Sequence, residues 1–382
     1  MGKFESSTSF TRRDFLKTSG KGVALGAAVL AAPAVVGRAP VTSAHAAFAG
    51  EPLITVSWAG NYEILFRETV IEPFNEKYGT LAETRGGWDQ IVSQIESAPT
   101  DNPPFDLTVS DEYVASAGLS NGLYLKTDAS KIPNLKAVYP WFYETRPAAA
   151  AAHGVPFAGG TCLLMLRKSL DIAPTDWKLL WDDRLSRKIT LDRGAWWWTL
   201  SVPALISNAM PGLAEMYRYD TAESLMQELD KLKVARWFSD GAELANVLSQ
   251  GEADAAFAYS SDAFTFVIEQ PDEYVLGIPS QGVSAWADWY YKVRGTHHDE
   301  LADLFLNYLL EKETQNRFLA KSMMFMARTD VTVPSHWGGY PRSNEDYHKM
   351  FQVITMDGWT TILADYQKYD DRFKKVVENT TK

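Results

Sequence analysis

Short segments rich in β-branched and aromatic residues alternate with longer amphipathic segments along most of this chain. Residues 53–58 are typical of a strand, and residues 61–78, with apolar side chains three and four positions apart, are typical of a helix. A second strand is predicted at 105–110. Because a strand, a crossover helix and another strand form a parallel unit, we expect an α/β fold with helices on the faces of the sheet.

The alternation continues towards the C-terminus, and no single linker separates two domains. We predict further strands at 155–166, 187–192, 253–259 and 283–293, and helices at 88–98, 197–209, 225–232, 261–269, 300–310 and 313–320. At 382 residues the chain is longer than one ordinary core requires, so we expect two lobes that exchange the chain more than once. The predicted lobes are 47–156 with 287–330, and 157–286 with 331–382.

Residues 1–46 have the pattern of a twin-arginine signal peptide. Arg12 and Arg13 are followed at the expected offset by Phe-Leu-Lys at 15–17. The apolar stretch that follows, 22–37, is too short and too weakly hydrophobic for a spanning helix. We therefore expect the twin-arginine export machinery to be a partner of the precursor.

A signal peptidase site is predicted between Ala46 and Ala47, because Ala44 and Ala46 provide small residues at the required positions. No cysteine lies at this site, so a lipid anchor is not expected. No later segment has eighteen consecutive apolar residues. The mature chain is therefore expected to be a soluble periplasmic protein, and we expect it to be a monomer.

The charge of the chain limits its partners. The whole sequence has a net charge of −11, and residues 1–46 carry six basic and two acidic residues, so the remainder has a net charge of −15. Such an acidic chain argues against nucleic acid and anionic membranes as partners. It is compatible with a cationic ligand.

The sequence contains no recognisable cofactor-binding motif. Cys162 is the single cysteine, and its apolar neighbours predict a buried, inert thiol. The pair His297–His298 lies in a turn before a predicted helix, where adjacent side chains point apart, and is interpreted as a solvated loop. We therefore expect no cofactor, no metal site and no enzymatic activity.

Several short motifs occur in a recognisable order. They are Ser-Trp-Ala-Gly-Asn-Tyr at 57–62, Asp-Leu-Thr-Val-Ser at 106–110, His-Gly-Val-Pro-Phe at 153–157 with Gly159–Gly160, Thr-Asp-Trp-Lys-Leu-Leu-Trp at 175–181 before Lys-Ile-Thr-Leu-Asp at 188–192, and Gly-Glu-Ala-Asp-Ala-Ala at 251–256 before Ala-Trp-Ala-Asp at 285–288. Their order resembles the periplasmic solute-binding proteins of ABC importers, specifically the spermidine/putrescine-binding branch. The resemblance covers essentially the whole mature chain.

This resemblance implies a type II periplasmic-binding-protein fold, in which two α/β lobes joined by hinge strands close over a ligand. Independently, ligands of open α/β sheets bind beyond the carboxyl ends of the strands. The rule and the resemblance select the same positions. The predicted ligand-binding residues are Trp58, Tyr62, Ser110, Glu112, Asp192, Arg193, Trp196, Tyr259, Trp286 and Asp288.

The resemblance implies a protonated amine held between aromatic faces and carboxylates. Trp58 would be an aromatic wall, and Asp192 would match an amine-binding carboxylate. Trp286 and Asp288 are the most specific match, because residues two apart on an extended segment share a face. A cation over an indole face gains about 0.5–2 kcal/mol, so several such contacts are needed for micromolar binding.

Two departures leave the ligand open. Glu112 stands where the polyamine binders place a tyrosine, and Arg193 lies where a second carboxylate is expected. An arginine beside a helix N-terminus could meet a carboxylate or phosphonate. The sequence does not decide which tryptophan of 196–198 faces the cleft. Core packing of the tryptophans, and hinge or capping roles for Asp192 and Asp288, are alternative interpretations.

We therefore expect the substrate-binding component of an ABC transporter, which captures a small organic amine between its lobes and delivers it to a permease in the cytoplasmic membrane. The amine could be polyamine-like or another cationic or zwitterionic amine. Alternatives are a binding protein for an opine, an aminophosphonate, thiamine or ferric iron, a sensor's binding lobe, or an exported enzyme.

Overall fold

The computed structural model describes residues 47–88, 90–207, 212–322, 324–334 and 340–381, which belong to one compact unit. The predicted signal peptide, with Arg12, Arg13 and the cleavage site at Ala46, lies outside the described residues. Its export motif and its cleavage site stay predictions.

Within the described residues the chain forms a mixed sheet of short and long strands. The strands are β1 (Pro52–Trp58), β2 (Leu81–Gly87), β3 (Leu107–Ser110), β4 (Gly154–Arg167), β5 (Ile189–Asp192), β6 (Val234–Phe238), β7 (Ala255–Tyr259), β8 (Tyr274–Gly277), β9 (Val283–Lys292), β10 (Phe325–Met326) and β11 (Phe351–Val353).

Helices connect most of these strands. They are α1 (Asn61–Phe66), α2 (Glu72–Tyr78), α3 (Gln90–Ser97), α4 (Glu112–Ser120), α5 (Pro140–Glu144), α6 (Ala148–Ala151), α7 (Trp196–Ser207), α8 (Tyr219–Leu229), α9 (Gly241–Ser249), α10 (Ser260–Glu269), α11 (Asp299–Leu309), α12 (Lys312–Ser322), α13 (Asn344–Met350), α14 (Met356–Ala364) and α15 (Tyr366–Thr380). A π-helical segment, Arg67–Ile71, joins α1 to α2.

The strand order in the sheet is β2-β1-β3-β9-β4-β7-β5-β6. β1 runs parallel to both β2 and β3, and β5 runs parallel to both β6 and β7. The antiparallel strands β9 and β4 lie between these two parallel groups. The predicted α/β class and the parallel pairing after strand–helix–strand units are confirmed.

Two long strands join the two parallel groups. The first half of β4 pairs with β9, and its second half, from Cys162 onward, pairs with β7 and β8. β9 pairs with β3 at one end and with β11 at the other. The predicted lobe boundaries at 156/157 and 286/287 fall inside these two strands.

The C-terminal segment contacts both groups of strands. Tyr347 of α13 packs against Trp141, 5.0 Å between ring centroids, in the predicted first lobe. Tyr369 of α15 stacks on Trp196, 5.2 Å between ring centroids, in the predicted second lobe. The assignment of residues 331–382 to one lobe stays a prediction.

Sequence features explain the long helical connection after β1. Phe66 and Phe74 are fully buried on one face, in keeping with the predicted three- and four-residue spacing. Gly79 ends the connection in the left-handed conformation, with φ 70°, which favours glycine. No helix in the described part of the chain is both long and apolar enough to cross a membrane.

Candidate ligand-binding site

Predicted site residues lie at strand ends on both sides of the central antiparallel pair. Trp58 ends β1 and Ser110 ends β3, while Asp192 ends β5 and Tyr259 ends β7. β9 runs between the two groups. The carboxyl ends of the parallel strands therefore face the middle of β9, which carries Trp286 and Asp288.

Asp288 connects β9 to the end of β1. The indole Nε1 of Trp58 donates a hydrogen bond to Asp288 Oδ1 at 2.7 Å. The other carboxylate oxygen of Asp288, Oδ2, is buried and has no hydrogen-bond partner. An unpartnered buried carboxylate oxygen is costly, so a group that donates a hydrogen bond to this atom would stabilise the ionised carboxylate.

The electrostatic surroundings of Asp288 are acidic. Burial raises the pKa of its carboxyl well above the ordinary value, and the negative charges of Asp111 and Glu112 act in the same direction. The hydrogen bond from Trp58 and the charge of Arg146 oppose the rise. A cation placed beside Asp288 would therefore stabilise the ionised carboxylate.

Trp286 lies two residues from Asp288 and so on the same face of β9. Its ring centroid is 5.4 Å from that of Trp198 and 5.9 Å from that of Tyr259. The ring covers Gly160 on the neighbouring strand, where an added Cβ atom would lie 2.1 Å from the indole. The glycine is needed for Trp286 to lie across β4.

Asp192 is held by the protein itself. Tyr259 donates its hydroxyl hydrogen to Oδ2, and the backbone N–H groups of Gly194 and Ala195 donate to the carboxylate, the first at 2.7 Å to Oδ1. Burial raises the pKa of the Asp192 carboxyl, and these hydrogen bonds oppose the rise. This is the pattern of an Asx turn in the loop between β5 and α7.

Glu112 lies at the start of α4 and is buried. Its carboxylate oxygens each accept a hydrogen bond from the backbone N–H of Ala287 at 3.3 Å, and the guanidinium of Arg146 lies 3.7 Å away. Burial raises the pKa of Glu112 to about 7, while the charge of Arg146 opposes the rise. A titratable group therefore lies directly behind the Trp286–Asp288 segment.

Tyr62 and Ser110 belong to the packing beneath the site. Tyr62 packs against Phe318, 5.2 Å between ring centroids, and lies near enough to Asp288 for that charge to raise the pKa of the phenol, after the larger effect of burial. The Ser110 hydroxyl shares a hydrogen bond with Tyr124 at 3.2 Å.

Two predicted residues are placed elsewhere. Arg193 extends to the surface, with its side chain 48% exposed, and pairs with Glu243 at 3.3 Å. Trp196 is buried against α15, where it stacks on Tyr369. The choice of Trp196 is therefore corrected: Trp198, two positions later in the same turn of the helix, packs on Trp286 instead.

Sequence reasoning missed Trp88, which stacks on Trp58 with 5.7 Å between centroids and is 53% exposed. It directly follows β2, a strand that was not predicted, and the strand-end rule would have found it. No sequence pattern indicated that Arg146 contacts the site, because this residue lies in a loop between α5 and α6. Cys162 is buried as predicted.

Metal-ligating side chains are not clustered in the part of the chain that the structure describes. No three or more His, Cys, Asp or Glu residues there are grouped so as to hold a metal ion. His297 instead bonds the backbone carbonyl of Asp101 through Nε2, at 2.7 Å, in the predicted loop.

Solved structures of solute-binding proteins are similar to this chain. A spermidine/putrescine ABC transporter substrate-binding protein, PotD from Streptococcus pneumoniae, matches with a TM-score of 0.70 and 17% identity over 87% of this chain and 100% of that chain. An ABC transporter structure from Clostridium perfringens matches with a TM-score of 0.63 and 22% identity over 85% and 99%. The binding protein AgtB of A. tumefaciens R10, in complex with agropinic acid, matches with a TM-score of 0.64 and 15% identity over 86% and 99%.

These matches confirm the two-lobed periplasmic-binding-protein fold. The sequence itself identifies the family, because residues 69–337 match the family model for bacterial extracellular solute-binding proteins. The chain belongs to this family, as the motif order predicts, and the family is one of binding proteins rather than enzymes. No curated protein matches the chain.

Proposed function

We propose that this chain is the substrate-binding component of an ABC importer and that it captures a small organic amine between its two lobes. Family membership and the fold of the PotD and AgtB structures support the transport role. In this proposal Asp288 binds the cation, and Trp58, Tyr259 and Trp286 enclose it. The remaining parts of the proposal are a mature periplasmic monomer, lobes divided within β4 and β9, and a membrane permease as partner.

The observation that carries the proposal is the unpartnered Oδ2 of Asp288. Its sister oxygen is already bonded to Trp58, so the carboxylate is oriented before a ligand arrives. An ammonium group that donates to Oδ2 would provide the missing partner and the missing charge. A charge-assisted hydrogen bond of this kind contributes about 1.5–3 kcal/mol.

The charges around Asp288 also favour a cation. Asp288 and Glu112 are two buried acids, and Arg146 is the buried base that acts on both of them. When both acids are ionised, this group of three has one uncompensated negative charge. A ligand with one positive group would neutralise it.

The structure favours one cationic group over two. Asp192, the second predicted amine-binding carboxylate, already accepts bonds from Tyr259 and from two backbone N–H groups. Arg193, which would have bound an anionic end, pairs with Glu243. We therefore place protonated monoamines, whose N–H groups can donate to Asp288, before diamines, and before opines or aminophosphonates.

The test is a thermal-shift screen over putrescine, spermidine, choline, betaine and 4-aminobutyrate, followed by calorimetry of any hit. A ligand at one hundred times its dissociation constant adds about 2.7 kcal/mol to the free energy of unfolding. We expect at least one cationic compound to stabilise the chain. Stabilisation by none of these compounds would contradict the proposal, and turnover of the hit into a new product would favour an enzyme.

A further inference from the structure

The peptide of Ala287 lies where the sheet loses a strand. β3 pairs with β9 from Leu107↔Lys292 to Ser110↔Trp289 and then ends. The next positions of β9, Asp288 and Ala287, extend past that end. Backbone polar groups that extend past a strand end need other partners if they are buried.

Two side chains replace the missing strand. Glu112 accepts the Ala287 N–H with both carboxylate oxygens, at 3.3 Å each. Arg146 Nη2 donates to the Ala287 carbonyl at 2.8 Å and to the Ser110 carbonyl, the last of β3, at 3.0 Å. Both backbone polar groups of Ala287, which belong to the peptide units on either side of it, are thus held by one ion pair.

The ion pair is itself fixed from several directions. Arg146 Nη1 donates to the Tyr291 hydroxyl at 2.9 Å, and the guanidinium lies 5.0 Å from the Trp289 ring centroid. Both members are buried. They come from different elements, Glu112 from the first turn of α4 and Arg146 from the loop before α6, so their contacts tie two further parts of the chain to β9.

The position of the pair decides what it does. Ala287 is flanked by Trp286 and Asp288, which share one face of β9, so the orientation of the Ala287 peptide sets the direction of both side chains. We propose that Arg146 and Glu112 are positioning residues, which hold the Ala287 peptide so that Trp286 and Asp288 present one rigid face to the amine. This inference rests on the proposed function of that face.

A gain in stability does not explain why the chain buries the Arg146–Glu112 ion pair. Burying two charges is expensive, and apolar residues of similar volume often stabilise a fold as well or better. A positioning role gives the pair a purpose that apolar residues cannot serve, since only polar atoms can bond the Ala287 peptide.

The chain contains a matched control in the same strand. Lys292, the last residue of β9, forms another buried ion pair with Asp303 at 2.7 Å. It lies at the opposite end of the β3 pairing from Ala287. Lys292→Met should therefore lower stability without moving Trp286 or Asp288.

The experiment compares Arg146→Met, Arg146→Lys, Glu112→Gln and Lys292→Met in the full mature chain. The probe is the tightest-binding compound among putrescine, spermidine, choline, betaine and 4-aminobutyrate. We expect Arg146→Met to weaken binding at least about tenfold, Arg146→Lys to recover part of that loss, and Lys292→Met to change affinity less than about twofold. Equal affinity losses in Arg146→Met and Lys292→Met would overturn the inference.

A second measurement needs no ligand. Hydrogen exchange of a peptide covering 283–292 reports the Ala287 N–H directly, and we expect faster exchange in Glu112→Gln than in Lys292→Met. Unchanged exchange would overturn the inference even if every variant bound poorly. If the wild-type chain bound none of the five compounds but this exchange difference appeared, the proposed ligand class would fail and the positioning role of the pair would stand.

Discussion

Asp192 and Asp288 are both buried aspartates at the meeting point of the two strand groups, yet the protein treats them differently. Asp192 accepts a hydroxyl and two backbone N–H groups, so its carboxylate has its partners within the chain. Asp288 accepts one indole N–H and keeps a buried oxygen without a partner. The two acids look alike in sequence, since each follows apolar strand residues.

The difference supports a structural role for Asp192 and, under the proposed function, a ligand-binding role for Asp288. A buried carboxylate with all its partners lowers the cost of its own desolvation, whereas one with a missing partner depends on another group to do so. Asp192 holds the turn between β5 and α7, and Asp288 bonds Trp58 beside the aromatic cluster. Variants of the two acids should therefore fail in different assays.

The largest expected effect comes from Asp288→Asn. The amide keeps the shape and an acceptor for Trp58 but loses the charge, so we expect binding of a cationic amine to weaken at least about tenfold. Because burial raises the pKa of Asp288, the folded chain incurs a cost for this group at neutral pH that an amide avoids, so the free energy of unfolding should stay equal or rise. Calorimetric titration and chemical denaturation measure the two quantities.

Asp192→Asn is the matched comparison. An amide cannot accept from Tyr259 and from both backbone N–H groups, so we expect a loss of about 1 kcal/mol in the free energy of unfolding. The affinity for the same amine should change less than about threefold. A loss of affinity as large as that of Asp288→Asn would show that both acids bind the ligand and would restore a diamine.

Periodicity was enough to predict most of the framework. β1, the helical connection after it, and the long strands β4 and β9 were each predicted within a few residues of their observed bounds. β2 was missed because Leu-Ala-Glu-Thr-Arg-Gly-Gly has little apolar character, and an edge strand with one solvated face needs little. The sheet therefore had an edge, and a strand end, that the sequence did not indicate.

The site was harder to predict than the fold because it depends on side-chain direction. Three consecutive tryptophans start α7, and helical residues two apart point about 200° apart, so a shift of two positions exchanges the core for the site. Trp196 packs on α15, and Trp198 packs on Trp286. The surface pairing of Arg193 with Glu243 depends on a residue 50 positions away, and no local pattern predicts it.

The affinity for a cationic amine should also depend on pH, and this change is expected to be smaller than those caused by the substitutions. Burial raises the pKa of Asp288 well above its ordinary value and that of Glu112 to about 7. A bound cation lowers both values, so the free protein holds more protons than the complex, and affinity rises with pH. For an amine that stays protonated, we expect binding to be about three- to tenfold weaker near pH 6 than near pH 8.

The variants divide this pH dependence between the acids. Glu112→Gln and Asp288→Asn should each weaken the dependence of affinity on pH. Asp192→Asn should leave it unchanged, because the Asp192 carboxylate bonds Tyr259 and the backbone rather than the proposed ligand.

The free energy of unfolding of the unliganded chain should change with pH in the opposite direction. Since the folded pKa of Glu112 exceeds its ordinary value of 4.5, its contribution to stability falls as pH rises from 4.5 to about 7, and Glu112→Gln should remove that fall. If affinity still rose steeply with pH in both Glu112→Gln and Asp288→Asn, the titrating group would lie elsewhere. The distinction between the two aspartates would then be lost.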